Sequence, residues 1–234
     1  MKSYKTAAIM PAYNEELNIE NAVSETKRAN PDAAIILVDD GSSDRTSEVA
    51  RGAGADIVLR HESNRGKGEA LKSGINHVLN SMPDIEYLFI MDADLQFHPD
   101  EAGRVLAPLI SGAADFVMGS RDWEHVPPRH RLGNFFWKLA FNVLFGTRLK
   151  DTNSGFVAMN RRAMEAVRNV RGGYIVENSM LAECIKQHLR IANVPVTVEY
   201  LRISKVPRGI RIFLGVFYYI VRSGIAYRLE RKPR

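Results

Sequence analysis

The chain has 234 residues, a net charge of +5, and 45% hydrophobic and 25% charged side chains, enough apolar material for one globular domain with a sizeable core. Its single cysteine, Cys184, excludes a disulfide framework and a cysteine-built zinc site and suits a reducing compartment. The N-terminus lacks the apolar core of a signal peptide, and no uninterrupted apolar run reaches about 18 residues, so neither secretion nor a membrane span is expected.

Residues 1–120 alternate short β-branched runs with amphipathic stretches. Strands are expected at Ala7–Met10, Ile35–Val38, Asp56–Leu59, Tyr87–Met91 and Phe116–Met118. Between them, Leu17–Arg28, Arg45–Arg51, Glu69–Leu79 and Asp100–Ile110 read as helices. Asp44 is placed to cap the second helix, and Pro99-Asp100-Glu101 opens the fourth with negative charge at its positive end. Such alternation predicts an α/β fold whose parallel sheet is covered on both faces. Right-handed crossovers then bring the C-terminal strand ends to one edge, where open α/β sheets bind ligands.

After Ser120 the rhythm changes. Residues 122–135 read as a basic, Pro-containing loop, Phe136–Phe145 as a helix, and Asp151–Met159 as a loop entering a strand. Helices follow at Arg161–Val170 and Val176–His188, then a last strand at Ile191–Leu201. Trp123 and Trp137 read as packing anchors, and His98, His125 and His130 as polar loop residues. Residues 201–234 hold nine Lys/Arg against Glu230 alone, a net of +8, which leaves the other 200 residues at −3. Within that tail Ile212–Val221 is apolar nearly all round until Arg222 interrupts it. A basic helix with Tyr218, Tyr219 and Tyr227 suits the interface of an anionic membrane. The alternative is a helix packed on the domain or in a homodimer.

Three strand ends carry acids or polar turns: Ile9-Met-Pro-Ala-Tyr-Asn-Glu15, Leu37-Val-Asp-Asp-Gly-Ser-Ser-Asp44 and Met91-Asp-Ala-Asp-Leu-Gln96. In a parallel sheet they converge on one crevice. Alternation sends Asp92 and Asp94 to the same side, with Ala93 between them too small to obstruct a ligand. Close carboxylates repel unless a cation satisfies them, and Mg²⁺ or Mn²⁺ takes such oxygens together with substrate phosphates. A lone Asp at a strand end more often closes a turn; the second acidic tip, Asp39-Asp40, favours a metal–diphosphate site. Asn64-Arg-Gly-Lys-Gly68 precedes a helix, so free N–H groups and Lys67 are placed to face a phosphate. It lacks the Walker spacing, and Gly52-Ala-Gly54 ends a helix instead of following a strand, so ATPase and dehydrogenase readings lose ground.

Taken in order, Pro11-Ala-Tyr-Asn-Glu15, Val38-Asp-Asp-Gly-Ser42, Asn64-x-Gly-Lys-Gly68, Asp92-Ala-Asp-Leu-Gln96 and Gly119-Ser-Arg121 resemble the inverting GT-A glycosyltransferases. The likeness is greatest to the dolichol-phosphate mannosyltransferase-like, or polyprenyl-phosphate, branch. It implies a GT-A, Rossmann-like, mostly parallel sheet with helices on both faces, plus a C-terminal amphipathic helix. Residues 1–205 would be the catalytic domain and 206–234 a membrane-interface anchor, at the cytoplasmic face. By the same resemblance Pro11, Tyr13, Glu15, Asp40, Lys67, Asp92 and Ala93 bind the nucleotide-sugar. Asp92, Asp94 and Gln96 would hold Mg²⁺ or Mn²⁺, and Asp94, Arg121, Arg131 and Asp151 would serve catalysis. Arg129, Ser154 of the loop Asp151–Phe156, Arg202 and Lys205 would meet the acceptor or its phosphate. The chain departs from the branch at Phe97, which intervenes before His98-Pro99.

The expected chemistry is transfer of a sugar from a UDP- or GDP-linked donor to a polyprenyl or dolichyl phosphate. That acceptor is anionic at neutral pH and needs no general base. A saccharide hydroxyl acceptor would need one, with Asp151 and Glu177 as candidates. A non-catalytic nucleotide-sugar binding module is the third alternative. No aromatic-interleaved basic platform appears, so no nucleic-acid partner is expected.

Overall fold

Side-chain alternation along the central strands sets the layers. Ile9, Ile36 and Val38 point into one apolar cluster, whereas Ala8, Met10, Ile35 and Leu37 point into another. Strands buried on both faces need apolar residues at every position, which is why Ala33–Asp39 is buried throughout. The computed structural model describes residues 4–94, 96–121, 128–170, 172–173, 175–199 and 209–230, and the side chains of these except 128–130 and 209–211.

Seven strands form one sheet: β1 (Thr6–Ala12), β2 (Ala33–Asp39), β3 (Ile57–Arg60), β4 (Tyr87–Ile90), β5 (Phe116–Arg121), β6 (Val157–Asn160) and β7 (Ile191–Val196). Their order is β3-β2-β1-β4-β6-β5-β7. Only β6 runs antiparallel, pairing with β4 and β5; the other pairings are parallel, so six strand tips share one edge. The helices are α1 (Ile19–Ala29), α2 (Thr46–Gly52), α3 (Lys67–Ser81), α4 (Ala102–Ile110), α5 (Pro128–Phe145), α6 (Arg161–Val167), α7 (Val176–Lys186) and α8 (Gly209–Glu230). Side chains of α1, α2 and α4 join one cluster, and those of α3, α5, α6, α7 and α8 the other. The mostly parallel, doubly covered sheet is the one expected.

Boundaries differ where local signals compete. A 3₁₀ turn, Pro99–Glu101, precedes α4, and Asp44 accepts the N–H of Thr46 at 3.0 Å, so the second helix starts one residue beyond the expected Arg45. Helix α5 starts at Pro128, not Phe136, because proline at a first helical position forfeits an N–H that has no partner there anyway. The last strand stops at Val196, short of Leu201, and the chain continues as an isolated bridge between Phe97 and Val198.

Helices α5 and α8 pack side by side. The Trp137 indole N–H donates to the Phe213 carbonyl at 3.2 Å, and the two rings stack at 5.6 Å. Farther along, Leu144 lies against Gly224, and Phe145 stacks on Tyr227 at 5.4 Å. Contacts advance in step along both helices, so the two run in the same direction. Val216, Ile220 and Tyr227 are buried in the core, while Leu214, Phe217, Tyr218, Ile225 and Leu229 are exposed. The outer side of α5 exposes Leu132, Phe135, Phe136, Leu139 and Val143. Ten of the thirteen exposed large apolar residues described therefore lie on these two helices, a concentration that scatter over the surface does not produce.

At the far sheet edge Asp115 locks β5 to the segment entering β7. Its carboxylate accepts from the Arg190 guanidinium (Nε and Nη2, both 3.0 Å), the Arg190 backbone N–H (3.0 Å) and Asn160 Nδ2 (2.9 Å). Those bonds, Arg190's first, hold the Asp115 carboxyl well below the usual carboxylate range. A depressed carboxylate contributes fully above its unfolded value near pH 4 and loses the contribution as pH falls further. Asp115→Asn is expected to cost about 2 kcal/mol at pH 7, moderated because Arg190 is half exposed. Urea midpoints of the two proteins should converge below about pH 4.

Candidate active site

Each parallel strand must turn at its C-terminal end, and three of those turns enclose a cleft of about 270 Å³. Its walls are Pro11, Ala12, Tyr13 and Glu15 from the β1 tip, Asp40 from the β2 tip, and Asp92, Ala93 and Asp94 from the β4 tip. The turn entering α3 adds Asn64, Gly66, Lys67 and Ala70. The structure thus brings together all seven residues assigned to nucleotide binding, and Asp94 with them.

The two acids of the β2 tip do different things. Asp39 is fully buried and closes its own turn, accepting the Ser42 N–H at 2.8 Å and the Ser47 hydroxyl. Asp40 accepts the N–H groups of Arg65 at 3.0 Å and Gly66 at 2.7 Å, which fixes the turn that delivers Lys67. His61 joins Asp40 at 2.7 Å through Nδ1 and Ser73 at 2.8 Å through Nε2. Sequence reasoning missed His61 and Ser73. The available signal was position: His61 is the first residue after β3, a fourth strand tip on the same edge.

At the β4 tip the Lys67 ammonium lies 2.8 Å from Asp92 Oδ1, 2.9 Å from Oδ2 and 3.0 Å from Glu177 Oε1. Burial disfavours that ammonium, but Asp92 and Glu177 outweigh it and hold Lys67 charged above its ordinary value. Burial, and then the Asp92 charge, push the Asp94 carboxyl up. Asp94 Oδ1 also accepts the Gln96 N–H at 3.1 Å, while the Gln96 carbonyl accepts the Glu199 N–H at 2.8 Å. Gln96 is therefore held through its backbone and is not among the residues lining the cleft.

The loop 151–156 backs onto this tip. A Cβ on Gly155 would lie 2.6 Å from Asp92 Oδ2, so a side chain there would push the Asp92 carboxylate aside. Asp151 is buried and engages Arg121 with both oxygens, at 2.8 Å to Nε and 3.0 Å to Nη2. Asn178 donates to the Asn153 side-chain carbonyl at 3.0 Å, while Ser154 Oγ and Asn178 Oδ1 are buried with no hydrogen-bond partner among the described residues. Arg121, Asp151, Ser154 and Arg131 do not line the cleft; Arg131 is exposed on α5. The Arg129 side chain, and Arg202 and Lys205 with the segment between them, lie outside the described residues.

Phe97, the departure from the branch pattern, is a plug. It is 6% exposed, its ring sits 5.5 Å from that of Phe156, and its backbone bridges Val198. It therefore ties the acidic tip to the 151–156 loop. Phe97→Ala should cost about 3 kcal/mol of stability in chemical denaturation, the usual cost of an aromatic-sized core cavity. Gly155→Ala should leave the fold intact but weaken donor binding at least about tenfold by calorimetry, because its methyl displaces Asp92.

Two carboxylates, one of them partly buried and raised, form a donor set of hard oxygens that fits a divalent cation completed by diphosphate oxygens. Among the described residues no group of three or more His, Cys, Asp and Glu side chains forms a ready-made metal cage. Comparison with known proteins bears on what this cleft serves. A family described as "Glycosyl transferase family 2" matches residues 7–168. The chain is 30% identical over 240 residues to the UDP-N-acetylglucosamine–dolichyl-phosphate N-acetylglucosaminyltransferase of Methanococcus voltae, covering 91% of this chain and 93% of that one. It is 29% identical to the polyprenol monophosphomannose synthase of Mycolicibacterium smegmatis, covering 97% and 89%. In fold it is similar to glucosyl-3-phosphoglycerate synthase from Mycobacterium tuberculosis, crystallised with Mn²⁺, UDP-glucose and phosphoglyceric acid. The TM-score is 0.77 at 22% identity, over 94% of this chain and 80% of that one. With its strand-tip cleft on a mostly parallel sheet, the chain belongs to glycosyl transferase family 2, a glycosyltransferase of the GT-A fold.

Proposed function

We propose that this glycosyltransferase moves a sugar, with inversion, from a nucleotide-sugar to a polyprenyl phosphate at the surface of a membrane. The observation that carries the reading is the Asp92–Asp94 pair facing Lys67 in a cleft built from strand tips. Mg²⁺ or Mn²⁺ held by Asp92 and Asp94 would neutralise charge on the departing nucleoside diphosphate. Pro11, Tyr13 and Glu15 border the space for base and ribose, with Asp40 holding the turn beneath. Lys67, at the start of α3, supplies a partly buried ammonium beside the positive end of that helix. The names of the two curated relatives supply the acceptor class.

The side-chain pairing favours a phosphate acceptor over a sugar hydroxyl. A hydroxyl needs a carboxylate free to take its proton, yet Asp151 spends both oxygens on Arg121, and Glu177 pairs with Lys67. A lipid phosphate arrives already ionised, and its attack requires cations rather than a base. Arg121 stands at the tip of β5 for that role, with Arg131 on α5 beyond it.

We assign residues 1–205 to catalysis and 206–234 to membrane contact, with α5 extending the contact surface. Segments 128–150 and 209–230 together carry eight Lys/Arg and one acid, Glu230. Pairing two copies through these faces would oppose like charges, whereas anionic headgroups complement them. Ile212–Glu230 is long and apolar enough to cross a bilayer. Its buried side, Val216, Ile220 and Tyr227, instead favours a helix lying in the interface. A free, buried Cys184 suits the reducing cytoplasmic face.

Incubation with Mg²⁺ or Mn²⁺, a polyprenyl phosphate and radiolabelled UDP- and GDP-sugars should place label in a mild-acid-labile lipid. Label appearing only in water-soluble glycan would sink the acceptor assignment. Asp92→Asn and Asp94→Asn should each lower transfer on the order of a thousandfold without shifting the unfolding midpoint downward. Phe217→Ser/Tyr218→Ser should reduce sedimentation with phosphatidylglycerol vesicles about tenfold, with donor affinity unchanged.

A further inference from the structure

Lys67 and Glu177 are 110 positions apart in sequence, yet they meet at 3.0 Å beside the acidic tip. Two glycines make the approach possible. Gly68, the second residue of α3, lies so close to Gly172 that a Cβ on it would fall 1.7 Å from the Gly172 carbonyl oxygen. The first turn of α3 is thereby pressed against the segment that leads into α7. Glu177 is the second residue of α7, 8% exposed, where the helix dipole favours a carboxylate. One ammonium thus serves Asp92 on one side and Glu177 on the other, at distances that differ by only 0.2 Å or less.

The charges around that ammonium do not balance. Asp92, Asp94 and Glu177 bring three carboxylates against one Lys67, and Glu15 adds to the negative field at Asp94. A divalent cation and the Lys67 ammonium would claim the same Asp92 oxygens. Crowding both onto one carboxylate is repulsive in a partly buried site. Glu177 offers the ammonium a second carboxylate within the reach of a small side-chain rotation.

We propose that Lys67 is a built-in counter-cation of Asp92 that passes to Glu177 when a divalent ion takes the Asp92 oxygens, so that the Lys67–Glu177 pair sets the metal affinity of the site. The inference rests on the metal–diphosphate reading given above. Lys67 is in this respect a positioning residue: without a metal it keeps Asp92 from swinging toward solvent or away from Asp94. Glu177 is its alternative partner, which leaves Asp92 available.

Manganese titration followed by electron paramagnetic resonance, on the full chain without donor, tests the hand-over. Lys67→Met removes the competitor and should tighten Mn²⁺ binding roughly fivefold or more. Glu177→Gln leaves Asp92 as the sole partner of Lys67 and should weaken Mn²⁺ binding by a similar factor. Lys67→Arg retains a cation and should stay within about twofold of the wild type. A purely structural role predicts weaker binding in both Lys67→Met and Glu177→Gln, so opposite directions are the signature. Unfolding midpoints measured in parallel confirm that each variant is folded. Unchanged or weaker Mn²⁺ binding in folded Lys67→Met, with the wild type still binding, would overturn the hand-over alone. Absence of Mn²⁺ binding by the wild type, even with UDP present, would overturn the metal reading itself and the hand-over with it.

Discussion

A strand leaving a parallel sheet has to turn at once, and the backbone groups of that turn lose their ladder partners. Buried N–H groups cannot stay unpaired, so short acidic side chains at the strand tips take them: Asp39 for Ser42, Asp40 for Arg65 and Gly66, Asp94 for Gln96. The same topology puts six of the seven tips on one edge. Carboxylates needed to close turns are thereby gathered around one hollow, and the proposed chemistry rests on that crowding.

What separates the acids is what pays for their charge. Asp39, Asp115 and Asp151 are buried but met by donors, from the Ser42 N–H and Ser47 hydroxyl, Arg190 and Arg121 respectively. Their role is to hold segments together. Asp92 and Asp94 differ: among the described residues Asp92 pairs with one shared ammonium, and Asp94 is partly buried beside a like charge, so that burial first and Asp92 second raise its carboxyl. An under-compensated pair in a cleft is the place where an added cation gains most. His61, linking Asp40 to Ser73, shows the opposite economy, with both ring nitrogens engaged in holding one wall.

The second organising feature is the parallel pair of α5 and α8. Each buries one side against the other and the sheet, through Trp137, Phe141, Phe145, Phe213, Val216, Ile220 and Tyr227, and turns an apolar side outward. Helix α5 begins seven residues after the end of β5.

Local signals sufficed for much of this. Strands β1, β2 and β4 are apolar runs ending in polar turns, and their tips carry Pro11, Tyr13, Glu15, Asp40, Asp92 and Asp94. Since a parallel sheet has one C-terminal edge, these residues could be assigned to one cleft before any coordinates. The sequence by itself therefore determined the fold class, the acidic tips and the apolar, basic character of the last helix. Only the tertiary structure decided which partner each charge has. Asp151 faces Arg121, Lys67 reaches Glu177, Phe97 packs on Phe156, and α8 lies on α5, because these contacts join segments from 30 to 110 positions apart. No local pattern encodes such distances; they follow from packing, including the bare approach of Gly68 to Gly172 that no side chain would allow.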